Sequence, residues 1–201
     1  MPFMIPVILI LKVTGEKEVF YLQNRIGLGL KNIKIFKFAT MLKNSENMGS
    51  GIYTSKEDAR ILPFGRFLRK TKINELPQLI NILNGDMTIV GPRPLIKETF
   101  ELYSHDDQIL ISSVKPGLTG IGSIVFRSED ELLAESKMPL EKFYEIHITP
   151  YKAELERWYI LNRSLITDIK IIFLTILVVL MPDRNFTGSF FQDLPKSKIF
   201  K

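Results

Sequence analysis

The sequence predicts a small mixed α/β domain (α+β), and three observations predict it. Two neighbouring stretches, residues 16–27 and 33–41, alternate in hydropathy with a period near two, as strands do. Residues 73–85 instead repeat their apolar side chains at helical spacing. Short apolar runs lie near both ends of the chain, at 2–11 and 171–181. The length of 201 residues, 45% of them hydrophobic and 24% charged, fits one domain with its own core.

The first apolar run is PFMIPVILIL, and Lys12 closes it. A helix rises 1.5 Å per residue, so this run covers only about half of the ~30 Å hydrocarbon core of a bilayer and is too short to span it. It is either a buried core element or a segment that enters one leaflet. Pro2 and Pro6 would suit a kinked entry into that leaflet.

A β-hairpin is predicted next. Its two strands, EKEVFYLQNRIG (16–27) and IKIFKFATM (33–41), are rich in aromatic and β-branched residues, which favour extended structure. The intervening GLGLKN segment supplies the turn. The polar stretch that follows, residues 43–51, is predicted to be a loop.

Helices are predicted for much of the remaining chain. LPFGRFLRKT leads into INELPQLINILNG, whose apolar residues at helical spacing are Ile73, Leu76, Leu79, Ile80 and Leu83, and which Gly85 ends. Glycine and proline predict a rigid extended loop over residues 86–95 and another glycine-rich loop over 114–123. A mixed-charge helical stretch covers 128–162, and the tail after Pro182 is predicted to be loose.

The second apolar run, IIFLTILVVLM at 171–181, is also too short to cross a membrane. The polar residues that precede it end abruptly at Lys170. A membrane-surface helix lying in one leaflet explains both apolar runs by one mechanism, whereas a buried core helix explains each run singly. Membrane association is therefore the favoured interpretation.

The composition excludes several kinds of site. The chain has no cysteine, which rules out disulfides, thiolate zinc sites and cysteine nucleophiles. Its two histidines, His105 and His147, have no ligand-spaced neighbour and are interpreted as surface or packing residues, while a hard cation held by carboxylates is compatible with the sequence. The net charge of +5 suits nucleic acid, an anionic membrane or a phosphorylated substrate. Nucleic acid is disfavoured because no binding module is present and the basic residues are not interleaved with stacking aromatics.

A basic cluster precedes a predicted helix start and is the first candidate site. Its cations are Arg66, Arg69, Lys70 and Lys72, and Asn74 and Glu75 follow at once. Cations beside free helix N–H groups bind phosphate well. Further on, Asp86 and Arg93 flank a stiff loop, and Arg93 lies between two prolines that restrict it. The alternative interpretation is a solvated basic face with asparagine as an ordinary helix cap.

The run FLRKTKINELPQLINILNGDMTIVGPRPL (67–95) resembles the signature of the bacterial sugar transferase family, the monotopic phosphoglycosyl transferases of the undecaprenyl-phosphate sugar phosphotransferase type. The ELPQ, GDM and GPRP blocks occur in order and without gaps. The resemblance extends upstream to FKFATM and downstream through KPGLTG and YILNRSLITDIKIIFLTI. It therefore covers nearly the whole chain, apart from the start and about the last twenty residues.

This resemblance implies a reaction. A nucleoside-diphosphate sugar, usually a UDP-sugar, donates its sugar phosphate to a polyprenyl (undecaprenyl) phosphate and opens the assembly of a polysaccharide or lipopolysaccharide. The family uses Mg²⁺ and an Asp-Glu pair at the start of the ELPQ helix, where the aspartate forms a covalent phospho-sugar intermediate. Two phosphate groups repel each other, so a carboxylate nucleophile with a divalent cation splits one hard transfer into two easier ones.

The same resemblance assigns roles to residues of this chain. Glu75 takes the position of the family's glutamate, catalytic and metal-binding, and Asp86 matches a second acid, expected to bind the metal. Arg69 and Arg93 match phosphate-binding arginines, and Lys37 matches the lysine of the strand motif, also expected at the substrate phosphate. Ala39 stands where many members carry a basic residue.

The resemblance also implies an arrangement on the membrane. It predicts a small monotopic domain on the cytoplasmic face of the inner membrane, with amphipathic membrane-parallel helices and an N-terminal re-entrant helix. Pro2 falls at the turn of that re-entrant helix, so residues 1–12 are expected to form only part of it. The catalytic domain is expected over 13–182 and the loose tail over 183–201. The oligomeric state is left open, a homodimer included.

Asn74 departs from the family pattern, which has the nucleophilic aspartate at this catalytic position. Asparagine caps helices about as well as aspartate, but its amide provides no anionic nucleophile. Three routes would keep the chain active: attack by Glu75, direct attack by the lipid phosphate, or deamidation of Asn74. The alternative is a non-catalytic relative that binds the donor or the lipid and regulates glycan assembly.

Overall fold

The computed structural model describes residues 4–49, 51–54, 58–181, 184 and 186–196. Within them the strands are β1 (Phe20–Ile26), β2 (Asn32–Phe38), β3 (Thr88–Val90) and β4 (Gly117–Thr119). The helices are α1 (Met4–Val13), α2 (Pro63–Lys70), α3 (Gln78–Leu83), α4 (Lys97–Phe100), α5 (His105–Ser112), α6 (Ile121–Val125), α7 (Glu129–Ala134), α8 (Leu140–Phe143), α9 (Thr149–Leu161), α10 (Leu165–Leu180) and α11 (Thr187–Phe190). The predicted mixture of helices and short strands is confirmed.

The predicted hairpin is present. β1 and β2 pair antiparallel, from Phe20 opposite Phe38 to Ile26 opposite Asn32. The turn places both Gly29 and Leu30 at a φ of 63°, a left-handed conformation that glycine adopts without strain. Side chains alternate between the two faces of a strand, so the more buried Gln23 and Arg25 share one face of β1.

A second, parallel strand pair occupies the two segments predicted to be glycine- and proline-rich loops. β3 and β4 run side by side, with Thr88 opposite Gly117. A Cβ atom on Gly117 would collide with the backbone of Gly91, so the close approach of the two segments depends on glycine. The segment predicted as a loop over 114–123 therefore contains β4 and the start of α6, because pairing with a distant strand overrides its loop composition.

The helix predicted over 73–85 is broken in two. Ile73–Glu75 form a single 3₁₀ turn, and α3 begins only after Pro77. Its apolar stripe is not its buried face: Leu83 is 77% exposed, whereas Gln78 and Asn81 are buried. Asn81 explains this orientation, since its Nδ2 donates to the carbonyl of Lys34 at 2.8 Å and its Oδ1 accepts from the amide of Phe36 at 3.0 Å. These bonds fasten α3 to β2 and fix the position of the 3₁₀ turn before it.

The long helical stretch predicted over 128–162 is also interrupted. It consists of α7, α8, a π-helical segment at Tyr144–Ile148 and α9. π-helical turns are common at functional sites because they turn a side chain out of register. Here the segment begins with Tyr144, which is buried.

The largest core cluster joins α6, α9 and α10. Its fully buried side chains include Ile121, Leu155, Tyr159, Ile171 and Leu174. Part of the tail that was predicted to be loose packs here as well: Phe191 is buried, and Trp158 donates to Asp193 at 3.0 Å. Pro182 itself lies outside the described residues, as does Pro2.

Both apolar runs form helices with one face in the protein and one face exposed. The buried side of α1 contributes Met4, Val7 and Leu11 to a core cluster with Phe38 and Leu68. Its opposite side exposes Ile5, Leu9 and Val13, and α10 exposes a longer stripe that comprises Leu165, Ile166, Ile169, Phe173, Ile176 and Leu180. Among the residues that the structure describes, no helix is both long and apolar enough to cross a membrane.

Candidate active site

An open cleft of about 1670 Å³ lies between the hairpin, the end of α2, the loop after β3 and the region of α6–α9. Residues singled out in the sequence line it, namely Lys37, Asn74, Glu75, Arg93 and the basic cluster of Arg66, Arg69, Lys70 and Lys72. They come from β2, the span from α2 to the 3₁₀ turn, and the loop between two prolines. The fold thus brings together residues that are up to 56 positions apart in the chain (37 to 93).

Glu75 and Arg93 form the central ion pair of the cleft. Arg93 Nη2 donates to Glu75 Oε1 at 3.1 Å, and the Glu75 side chain is only 14% exposed. Burial alone would raise the pKa of Glu75, but Arg93, Lys37 and Lys72 outweigh it and lower that pKa to about 2. Glu75 is therefore a carboxylate throughout the physiological pH range.

Asn74 is buried next to this pair and does not act as a helix cap. The 3₁₀ turn is preceded by Lys72 in a left-handed conformation, and no side chain caps either that turn or α3. The expectation that asparagine serves here as an ordinary helix cap is therefore wrong, because the break at Pro77 moves the start of α3 beyond it. Within the described part of the chain, Asn74 Oδ1 is buried without a hydrogen-bond partner. An amide oxygen in this state has unused capacity to accept a hydrogen bond or to bind a cation.

Lys37 and Arg25 extend the positive side of the cleft from the hairpin. Lys37 Nζ lies 3.4 Å from Gln23 Oε1, and burial, followed by the nearby Arg25, lowers the pKa of Lys37 well below its usual value. Arg25 donates to Gln23 Oε1 and, at 3.1 Å, to the carbonyl of Pro94. Burial and then Arg93 lower the pKa of Arg25 to about 10. Sequence reasoning missed Arg25, although its alternation with Gln23 on one strand face was a usable signal.

The remaining predicted residues occupy different surroundings. Arg69 lies at the end of α2 with its Nη1 3.8 Å from the sulfur of Met41. Asp86 is not among the residues that line the cleft; its Oδ2 lies 3.4 Å from Asn81 Nδ2 behind α3. In the part of the chain that the structure describes, no group of three or more histidine, aspartate or glutamate side chains could hold a metal. The expectation that Asp86 and Glu75 share a metal stays a prediction.

The wall opposite the hairpin carries buried charges that sequence reasoning missed. Lys152 Nζ donates to Glu129 Oε2 at 2.6 Å and to the hydroxyl of Tyr144 at 2.9 Å. One turn further along α9, Glu156 is buried, and that burial raises its pKa to about 7 against the opposing effects of Arg93 and Lys152. The spacing of Lys152 and Glu156, four residues apart on one helix face, was the signal available in the sequence.

The model of the family described as bacterial sugar transferase matches residues 1–182. The chain is 35% identical over 181 residues to the uncharacterized sugar transferase EpsL of Bacillus subtilis, covering 85% of this chain and 79% of that protein.

Two longer relatives carry specific names. The chain is 36% identical over 178 residues to the UDP-glucose:undecaprenyl-phosphate glucose-1-phosphate transferase of Klebsiella pneumoniae, covering 87% of this chain and 35% of that protein. It is 32% identical over 181 residues to the UDP-N-acetylgalactosamine-undecaprenyl-phosphate N-acetylgalactosaminephosphotransferase of Aeromonas hydrophila, covering 89% of this chain and 39% of that protein. The chain therefore spans less than half the length of these two relatives.

Proposed function

The chain belongs to the bacterial sugar transferase family, and on this basis we propose that it transfers a sugar phosphate from a nucleoside-diphosphate sugar to undecaprenyl phosphate. The expected donor is a UDP-sugar, as the names of two relatives specify for those proteins. The reaction would release the nucleoside monophosphate and begin the assembly of a polysaccharide.

The observation that carries this proposal is the charge arrangement around Glu75. Lys37, Arg69 and Arg93 line one cleft with the ionised Glu75, and Arg25 adds a further basic side chain. Such an excess of positive charge binds a diphosphate, and arginine offers it a two-pronged hydrogen-bonding group. The arrangement supports a phosphate-binding site better than a solvated basic face, because these side chains are partly buried and converge.

We also propose that the cleft binds Mg²⁺, and the oxygen atoms of the residues present suit this ion. Glu75 is ionised, and Asn74 Oδ1 is a buried oxygen without a partner among the described residues. A protein commonly holds Mg²⁺ through one or two oxygen ligands while substrate phosphates supply others, so these two groups would hold it. When bound, the ion would neutralise charge on the diphosphate. Asp86 lies outside the cleft and is not included among the proposed ligands.

With asparagine at position 74, we favour direct attack by the lipid phosphate over a covalent intermediate. The amide of Asn74 carries no negative charge, and Glu75 is a weak base whose carboxylate is held by Arg93. In the direct route, a lipid phosphate oxygen bonds to the β-phosphorus of the donor, and the bond from that phosphorus to the bridging oxygen breaks. The nucleoside monophosphate leaves with the bridging oxygen.

Membrane docking completes the proposal, because the acceptor is a lipid. The exposed apolar faces of α1 and α10 are suited to lie in one leaflet, in the manner of amphipathic interfacial helices. We propose a monotopic attachment on the cytoplasmic face of the inner membrane, where nucleotide sugars are made. The mechanism of attachment is burial of side chains such as Leu9 and Ile169 among acyl chains.

The alternative function is a non-catalytic relative that binds the donor or the lipid and regulates glycan assembly. Asn74 is the observation that favours it, since the position next to Glu75 carries no carboxylate. The two functions share the phosphate-binding cleft and differ only in turnover. Measuring turnover therefore separates them.

The test uses the detergent-solubilised full chain with undecaprenyl phosphate, Mg²⁺ and a panel of UDP-sugars. We expect UMP release that requires the lipid and Mg²⁺, together with a lipid product that has gained the sugar phosphate. Glu75→Gln should abolish release, whereas Glu98→Gln, which removes an exposed carboxylate on α4, should not. Tight donor binding without UMP release, under every lipid and donor condition, would establish the non-catalytic alternative instead.

A further inference from the structure

Glu156 has unused hydrogen-bonding capacity at the inner end of the cleft. It is 5% exposed, lines the cleft from α9, and its Oε2 is buried without a partner among the described residues. Ser123, on α6, also lines the cleft, and within the same described ranges its Oγ is likewise buried and unpartnered. A buried polar atom without a partner costs free energy, so two of them on one wall indicate a place that a ligand completes.

The neighbouring residues leave this capacity free. Lys152, four residues earlier on the same helix, is already engaged by Glu129 and Tyr144. Gly122 makes room for the carboxylate, because a Cβ atom there would collide with Glu156 Oε1. The terminal torsion of a glutamate is broad, so either of its oxygens can turn towards the cleft.

The position of Glu156 and Ser123 relative to the Glu75–Arg93 ion pair indicates which chemical group binds there. The Arg93 side chain contacts Glu75, while the backbone N–H of Arg93 lies close enough to the Glu156 carboxylate to lower its pKa by hydrogen bonding. Glu156 is thus near the backbone of Arg93, whereas Glu75 contacts the Arg93 side chain. A group bound there would adjoin a phosphate held by the Arg93 side chain.

We propose that Glu156 and Ser123 form the subsite that hydrogen-bonds the hydroxyl groups of the donor sugar. This inference rests on the proposed function, in which the sugar is attached to the phosphate next to Arg93. Sugar hydroxyls donate to a carboxylate and exchange hydrogen bonds with a serine hydroxyl. A second phosphate is a poor occupant because the carboxylate would repel it.

The experiment compares the binding of UDP with that of UDP-glucose, UDP-galactose and UDP-N-acetylgalactosamine. Binding is measured by calorimetry on the full chain in detergent, for the parent, Glu156→Gln and Ser123→Ala. Glu154→Gln is the matched control, because it removes an exposed carboxylate from the same helix. Thermal melting verifies that each variant is folded. If Glu156→Gln does not fold, Ser123→Ala still tests the subsite.

We expect each variant to weaken binding of the preferred UDP-sugar about tenfold, the effect of losing one or two hydrogen bonds, and to leave UDP binding within about twofold. An equal loss for UDP and UDP-sugars, or no loss in either variant, overturns the sugar subsite while the proposed function stands. A parent that binds neither UDP nor any UDP-sugar rejects the proposed function and the subsite with it.

Discussion

Arg93 donates a hydrogen bond of 3.1 Å to Glu75, and the two residues are 18 positions apart in the chain. The bond links the loop after β3 to the 3₁₀ turn before α3, across the floor of the cleft. It explains why the pKa of a buried carboxylate falls rather than rises. It also fixes an arginine between two prolines in the place where a donor diphosphate would bind.

The first prediction concerns Arg93 as a phosphate ligand. Arg93→Ala should weaken UDP-sugar binding by roughly 1–3 kcal/mol, because charge-assisted hydrogen bonds are lost. The UDP-sugar affinity of Arg93→Lys should lie between that of the parent and that of Arg93→Ala, since lysine lacks the planar two-pronged group. Arg157→Ala is the control, because Arg157 pairs with Asp107 away from the cleft. Parental affinity in Arg93→Ala would show that the diphosphate binds elsewhere.

Asn74→Asp should raise the rate of Mg²⁺-dependent UMP release by restoring an anionic nucleophile beside Glu75. Given donor without lipid, this variant should accumulate a covalent phospho-sugar adduct visible by intact mass, whereas the parent should not. The melting temperature should change by no more than about 4 °C, because Lys37 and Arg93 offset the cost of burying the new carboxylate. An adduct on the parent, located at Glu75 or at a deamidated residue 74, would contradict direct transfer.

The ion pair of Glu75 should make stability depend on acidic pH. The folded-state pKa, about 2, lies below the ordinary glutamate pKa of 4.5, so the contribution is fully present above pH 4.5 and is lost as the pH falls towards 2. It amounts to at most about 3 kcal/mol. Urea unfolding from pH 2 to 6 should therefore show a shallower pH dependence for Glu75→Gln than for the parent. If the unfolding free energies of the parent and of Glu75→Gln depend equally on pH, Glu75 is not paired in solution. Glu98→Gln is the control variant and should behave like the parent.

Arg60 should be essential for the loop that borders the cleft. It is buried, pairs with the buried Asp58, and donates to the carbonyls of Ser45, Met48 and Gly51 at 2.6–2.7 Å. Arg60→Ala should destabilise the fold by roughly 3–5 kcal/mol, the cost of leaving a buried charge unpaired. Chemical unfolding measures this, and limited proteolysis should show earlier cleavage near residues 45–51. A loss below about 1 kcal/mol would indicate a solvated, dispensable pair.

Membrane attachment through α10 should resist salt. Charge attraction is screened within ~3 Å at 1 M salt, so a protein held by apolar side chains should stay with membranes in high salt and carbonate and dissolve in detergent. Ile169→Glu, in the exposed stripe of α10, should shift the protein to the soluble fraction, whereas Ile109→Glu, exposed on α5, should not. A monodisperse soluble parent after mild lysis would refute this mode of attachment.

The sequence by itself determined the hairpin, the basic cluster and the family. Each depends on residues close together in the chain: alternation within β1 and β2, the cations that precede Asn74, and the contiguous blocks from ELPQ to GPRP. Local periodicity and turn chemistry act over a few residues, so such features can be predicted without knowledge of the tertiary structure. The short apolar runs can be recognised in the sequence for the same reason. Their lengths alone show that neither run can span a bilayer.

Only the tertiary structure decided which side chains meet at the cleft. Arg25 and Glu156 join Glu75 and Arg93 there from distant elements, while Asp86, only 11 positions from Glu75 (75 to 86), is not among the residues that line the cleft. Asn74 is not a helix cap, because Pro77 breaks the helix after it, and its buried Oδ1 has no hydrogen-bond partner within the described ranges. These outcomes depend on how Asn81 ties α3 to β2 and how Gly91 and Gly117 let two segments pair. Such contacts join residues far apart in the chain, and local sequence patterns do not predict them.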